Sequence, residues 1–199
     1  MAPEGLPDPL RVALAVVAVL ERLGVPYLAA GSLASSLHGE PRSTDDVDLV
    51  ADLRPAQAAP LVNALGGGRD WYVNEEAVRD AIARGTSFNA VHLATGVKVD
   101  VFVVGSDAFD ARRLAARAVR VSDDPVAVLR VDTAEHTVLR KLEWFRRGGE
   151  VSDRQWRDVI GVLRAQGGRL DREELASWAG RLGVSDLLNR ALKDASLEG

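Results

Sequence analysis

Between Val25 and Asp52 the chain passes from an apolar segment, Val25 to Ala30, through Gly31-Ser32 and a short helical stretch. It then enters a second apolar segment interrupted by Asp46 and Asp48. Side chains alternate across a strand, so Asp46 and Asp48 face one way while Val47 and Leu49 face the other and can be buried. Two carboxylates held on one face repel each other unless a cation compensates them. Hard oxygen donors with positions left open for water and phosphate suit Mg2+ better than Ca2+. A calcium-binding EF-hand loop is excluded, because Val50 stands where a third oxygen ligand belongs and no glycine follows it.

Gly31 allows close backbone approach to a ligand, and a helix over Ser32 to Leu37 would aim unpaired N–H groups at an anion. Phosphate is the anion expected there, with the Ser32 hydroxyl as a further donor. An acidic strand for a metal and a phosphate cradle at the preceding turn are two parts that phosphoryl or nucleotidyl transfer requires.

Gly-Ser, a helix, Asp-x-Asp on a strand and a third carboxylate on a later strand together resemble the nucleotidyltransferase superfamily. Its members include DNA polymerase beta and the aminoglycoside nucleotidyltransferases. The run Gly39-Glu40-Pro41-Arg42-Ser43-Thr44-Asp45-Asp46-Val47-Asp48-Leu49 is similar to the branch around the AbiEii-type toxins of type IV toxin–antitoxin systems. The resemblance implies an α+β nucleotidyltransferase fold: a mixed twisted sheet flanked by helices, followed by a helical subdomain. It also implies Mg2+, a nucleoside triphosphate substrate, the 3′ end of tRNA as acceptor and a cognate antitoxin as partner.

Composition is consistent with one globular chain: 199 residues, 47% hydrophobic and 27% charged, with a net charge of −4. That balance argues against a protein that coats nucleic acid nonspecifically. The absence of cysteine excludes disulfides, thiolate metal sites and a cysteine nucleophile. The apolar run Val12 to Leu20 is too short to span a bilayer and is preceded by Glu4 and Asp8 rather than by a basic cluster. A helix of a cytoplasmic protein is the expectation, starting at Asp8-Pro9 and running to about Leu23.

Further along, Pro55 opens a helix closed by Gly66-Gly67-Gly68, a run that lacks the Gly-Lys-Ser/Thr of a P-loop and reads as a turn. A helix over Asn74 to Arg84 precedes two alternating apolar runs, Phe88 to Leu93 and Val97 to Val104, joined by the hairpin signal Thr95-Gly96. The second run carries Lys98 and Asp100 on one face. A carboxylate within so apolar a strand needs a partner. The metal of Asp46 and Asp48 is one; a salt bridge to Lys98 or an arginine is the alternative. Asp107 to Ala118 reads as a helix whose Arg112, Arg113 and Arg117 either form a solvated face or touch RNA, before short strands near Val119 to Val121 and Val126 to Val131 with a turn at Asp123-Asp124-Pro125.

From Asp132 the pattern becomes helical, dividing the chain into a core over residues 1–131 and a helical subdomain over 132–199. Asp132-Thr133-Ala134-Glu135 and Ser152-Asp153-Arg154-Gln155 read as capping boxes of helices reaching Arg147 and Ala165. Two more helices follow, Asp171 to Arg181 and Ser185 to Asp194. Lys141 lies beside the apolar seam of the first pair, where its stem can cross apolar surface and deliver an ammonium to a triphosphate. Asp158 stands at a similar level on the second helix. From the residues alone the two read as a simple surface ion pair ahead of a site; the toxin resemblance implies instead that they complete the active site. In that reading Asp46, Asp48 and Asp100 hold the metal, with Asp100 also a candidate base. Gly31, Ser32 and Lys141 bind the triphosphate; Arg42 either touches it or closes the loop through a plain ion pair, and His38, with no companion at metal-ligand spacing, is structural.

Overall fold

The computed structural model describes residues 8–41, 46–66, 69–105, 107–115, 118–123 and 126–196. In chain order the elements are α1 (Asp8–Arg22), β1 (Tyr27–Ala29), α2 (Gly31–His38), β2 (Asp46–Ala51), α3 (Ala58–Ala64), β3 (Trp71–Tyr72), α4 (Glu75–Arg84), β4 (Ser87–His92), β5 (Lys98–Val103), α5 (Ala108–Arg113), β6 (Ala118–Asp123) and β7 (Val126–Arg130). The helices α6 (Ala134–Arg147), α7 (Asp153–Gln166), α8 (Arg172–Leu182) and α9 (Ser185–Asp194) complete the chain. None of the helices among the described residues is long and apolar enough to cross a membrane.

The elements form two compact units. The first combines residues 1–30 with 44–131, and the second combines residues 31–43 with 132–199. Helix α2 therefore belongs with the C-terminal helices and not with the strands on either side of it in sequence.

In the first unit a five-stranded sheet has the order β1-β2-β5-β4-β3, with β2 parallel to β5 and the other pairs antiparallel. This is the mixed sheet with flanking helices expected of the α+β class. One face of its central pair is wholly apolar: Val47 lies across from Val99 and Leu49 from Val101, all buried. Helix α1, whose buried residues are Val12, Ala13, Val16, Val17, Val19 and Leu20, packs on β2, and α4 packs on β4 and β5. The other face changes character along its length. Val50 and its register partner Phe102 join a cluster with Leu28, Ala30, Val104 and Leu114, whereas Asp46, Asp48, Lys98 and Asp100 occupy the preceding positions.

Three local expectations are revised. Strand β3 was not foreseen, since two residues give no alternation to detect; pairing to His92 and Val91 creates it. Helix α5 ends at Arg113, because residues 118–123 are taken into a hairpin with β7. Of its arginines, Arg113 is buried against Asp110 and the Phe109 ring, not displayed to solvent, while Arg117 lies outside the described residues, as do Asp124 and Pro125 of the foreseen turn.

In the second unit α6 packs on α7 and α8, α7 on α9, and α2 on both α6 and α7. Ser152 and Asp171 cap α7 and α8 by accepting from the backbone N–H groups of Gln155 and Glu174. The cap of α6 is Thr133 rather than Asp132: its hydroxyl accepts from His136 N at 3.1 Å. Asp132 is instead buried beside the His136 ring, at 3.7 Å. At the end of α2 the backbone of Gly39 lies against α7. A methyl group there would come within 2.8 Å of Val162 N and 2.9 Å of the Gly161 carbonyl carbon.

Two outcomes are expected. Since backbone atoms cannot swing aside, Gly39→Ala should destabilise the chain by about 1–3 kcal/mol, read as a lowered urea midpoint. In the first unit, burial and then the hydrogen bond to Glu21 push the Tyr27 phenol well above the ordinary tyrosine range, against a smaller pull from Arg130. The unfolded phenol ionises near pH ~10 while the folded one keeps its proton, so this stabilisation is complete below that pH. It falls by up to about 1.4 kcal/mol per pH unit above it. Unfolding free energies of wild type and Tyr27→Phe between pH 8 and 11 (roughly the range straddling that ionisation) should diverge in slope only at the alkaline end.

Candidate active site

In the first unit the acidic residues are placed by the register of β2 and β5. Asp46 stands across from Lys98, and Asp48 across from Asp100. Register partners in neighbouring strands point to the same face, so three carboxylates and one ammonium share a small patch of sheet. On the far side of β5, Asn89 of β4 is the partner of Asp100 and extends this patch. Asp46 is exposed, while Asp48, Lys98 and Asp100 are half-buried.

Lys98 provides the counter-charge. Its Nζ lies 2.7 Å from Asp100 Oδ2 and 4.0 Å from Asp46 Oδ1. The hydrogen bond to Asp100 holds the ammonium above the usual lysine range; burial works against it, and the charges of Asp46 and Asp48 add to it. Of the two partners foreseen for Asp100, the structure contains the lysine. Among the described residues no three carboxylate or imidazole groups are gathered closely enough to hold a metal ion. The donor set still fits Mg2+: it is all oxygen, it sits on one face of two rigid strands, and it already attracts a cation.

In the second unit Gly31 begins α2 with φ +56°, in the left-handed region where a side chain would be strained. Ser32 follows, its hydroxyl accepting from Arg154 Nη2 at 3.3 Å, and its carbonyl accepting from the buried Ser35 hydroxyl at 3.1 Å. Arg42 lies outside the described residues. Lys141 is buried on α6 and donates to Asp158 Oδ2 at 2.8 Å and to Gln155 Oε1 at 3.2 Å. The Lys141 and Asp158 side chains retain only 8% and 10% of their exposure, so this is no surface ion pair. Asp158 also borders a cleft of about 370 Å³ shared with Arg154, Arg157, Glu40, Ser35, Pro41 and Gly161.

His38 Nε2 donates to the Asp132 carbonyl at 2.6 Å, which ties α2 to the start of α6 and agrees with a structural role. A neighbouring buried group was not foreseen: His136 lies with Nε2 3.2 Å from Glu174 Oε1 and Nδ1 3.7 Å from Asp132 Oδ1. Sequence reasoning also passed over Asn89, Gln155 and Arg154. Gln155 and Arg154 were detectable in principle, since positions three and four before Asp158 share its side of α7.

Comparison with solved structures finds the same architecture elsewhere. The solution structure of the antibiotic-resistance factor ANT(2'')-Ia matches 92% of this chain and 99% of its own, with a TM-score of 0.52 at 13% identity. Its crystal structure in complex with adenylyl-2''-tobramycin covers 88% of this chain and 99% of its own, with a TM-score of 0.57 at 13% identity. An antigenic nucleotidyltransferase-like protein from Paracoccidioides brasiliensis covers 97% and 95% of the two chains, with a TM-score of 0.52 at 18% identity. The fold is that of the nucleotidyltransferases. No protein-family model and no curated protein sequence matches the chain.

Within this nucleotidyltransferase fold, the Lys141–Asp158 pair makes a prediction of its own. Removing one partner of a buried ion pair leaves the other uncompensated, so Lys141→Met should cost about 3 kcal/mol. Lys141→Met combined with Asp158→Leu should recover most of that loss, as measured by a double-mutant cycle in urea.

Proposed function

We propose that the protein is a Mg2+-dependent nucleotidyltransferase that moves an NMP group from a nucleoside triphosphate to an acceptor hydroxyl, most specifically the 3′ end of tRNA. The observation that carries this reading is the register of β2 and β5, which sets Asp48 opposite Asp100 with Asp46 on the same face of a nucleotidyltransferase fold.

Asp46, Asp48 and Asp100 would hold Mg2+, which when bound supplies positive charge to the phosphate oxygens. Gly31 and Ser32 would bind the outer phosphates through backbone N–H and hydroxyl donors, joined by Arg42 and by Lys141 as a point charge. The acceptor oxygen attacks the α-phosphorus, a new P–O bond forms, the bond to the bridging oxygen breaks, and pyrophosphate leaves. Asp100 would take the acceptor's proton. Asp158, held by Lys141, would orient the acceptor hydroxyl. The tRNA acceptor, and a cognate antitoxin as partner, rest on the resemblance of the Gly39 to Leu49 run to the AbiEii-type toxins.

A second acceptor class, a small hydroxylated molecule, is favoured by the near-complete overlap with ANT(2'')-Ia, whose crystal structure contains adenylyl-2''-tobramycin. A nucleotide-binding regulator without turnover would have less need of all three carboxylates.

Incubating the protein with each α-labelled NTP, Mg2+ and total RNA tests the proposal, and label in the tRNA band is the expected result. Label on an added aminoglycoside or on a polypeptide would redirect the acceptor assignment, and nucleotide binding with no transfer to anything would refute the enzyme. Asp48→Asn should lower transfer by about 100-fold or more with an unchanged melting temperature. Undiminished transfer in that variant would remove the metal assignment.

A further inference from the structure

The lysine on the acidic face is on the same strand as Asp100, two residues earlier, and is the cross-strand partner of Asp46. That placement puts its ammonium among all three carboxylates by construction of the sheet, not through a flexible loop. It hydrogen-bonds Asp100 Oδ2 at 2.7 Å and stands 4.0 Å from Asp46 Oδ1. Its positive charge offsets part of the repulsion among the three carboxylates on these two adjacent strands. The Lys98 side chain is 39% exposed and stands on the face opposite the buried valines, so it can leave Asp100 without disturbing them.

We propose that Lys98 is a resident counter-cation of the acidic face, which holds Asp100 in place of a divalent ion and competes with that ion for it. The proposal rests on the assignment of Asp46, Asp48 and Asp100 as metal ligands. It accounts for what the lysine does on that face: its ammonium engages Asp100 at 2.7 Å, and among the described residues no three carboxylates form a ready-made metal cluster. Lys98 is thus a specificity-determining residue for the cation. It lowers the intrinsic affinity of the face for divalent metal, so that the face fills when a metal arrives already carrying a polyphosphate rather than with metal alone. The Lys98 ammonium, once displaced, is an additional positive group for that polyphosphate.

The test is a titration of the full chain with Mn2+ alone, followed by the loss of the free-ion EPR signal, in wild type, Lys98→Met, Lys98→Arg and Asp48→Asn. Removing one positive charge about 4 Å from the ligands is expected to tighten Mn2+ binding by roughly tenfold in Lys98→Met. Lys98→Arg, which keeps the charge, should bind like wild type. Added Mn2+ should raise the melting temperature of Lys98→Met by more than that of wild type. Lys98→Gln reads the same charge removal should the methionine variant melt early. If Asp48→Asn weakens Mn2+ binding but neither neutral variant tightens it, the counter-cation role is overturned and the metal assignment stands. If no variant shows Mn2+ binding that depends on Asp48, both are overturned.

Discussion

Pairing two parallel strands fixes every residue of both at once, and β2 with β5 is the pairing on which the rest of the first unit depends. A slip of one position would carry Val47, Leu49, Val99 and Val101 out of the interior and bring the aspartates in, which burial of unpaired charge forbids. The apolar face therefore dictates where the acidic face lies. Asp48 and Asp100 share a face because the hydrophobic side chains one position away on either side must be dry. Chemistry on one side of the sheet is positioned by packing on the other.

Much of this could be read from the residues. The alternation Val-Asp-Val-Asp-Leu and Val-Lys-Val-Asp-Val announces two half-buried strands, and the capping residues Ser152 and Asp171 announce helix starts, because both signals are local. The parallel register was not legible, as β2 and β5 lie some fifty residues apart in sequence and are brought together only by the folding of what separates them. The partner of Asp100 was left open for a related reason: strand alternation puts Lys98 on its face but does not say which cation takes the carboxylate. Asp132 was misassigned as a cap because Asp and Thr are both good caps one residue apart. Burial beside His136 decided between them.

The second unit has an interior of a different kind. Lys141, Asp158 and Gln155 form one polar knot, and His136, Asp132, Glu174 and His38 form another, beside further polar links between the helices such as Arg146 to Asp186, Trp156 to Asp194 and Gln166 to the His38 carbonyl. Such groups stabilise less than hydrophobic residues of equal volume, but they tolerate fewer alternative packings. Helices α2, α6, α7 and α8 are each specified by at least one of these polar contacts, and not by apolar complementarity alone. The residues proposed for phosphate and acceptor binding thus stand on elements whose mutual arrangement is set by hydrogen bonds with defined directions.

The chain leaves the strand-bearing unit after Ala30, returns at Thr44 and leaves it again after Val131. Cutting the protein at the last of these points does not liberate an autonomous half. It leaves α2 attached to the sheet-containing fragment but stripped of α6 and α7, with Ala34, Ser35 and the Gly39 backbone newly wetted. The complementary fragment loses the helix that seals its own interior. The sheet-containing piece keeps its own unit whole but carries an unpacked helix, and an evolutionary exchange of the helical portion between relatives would have to carry residues 31–43 along with it.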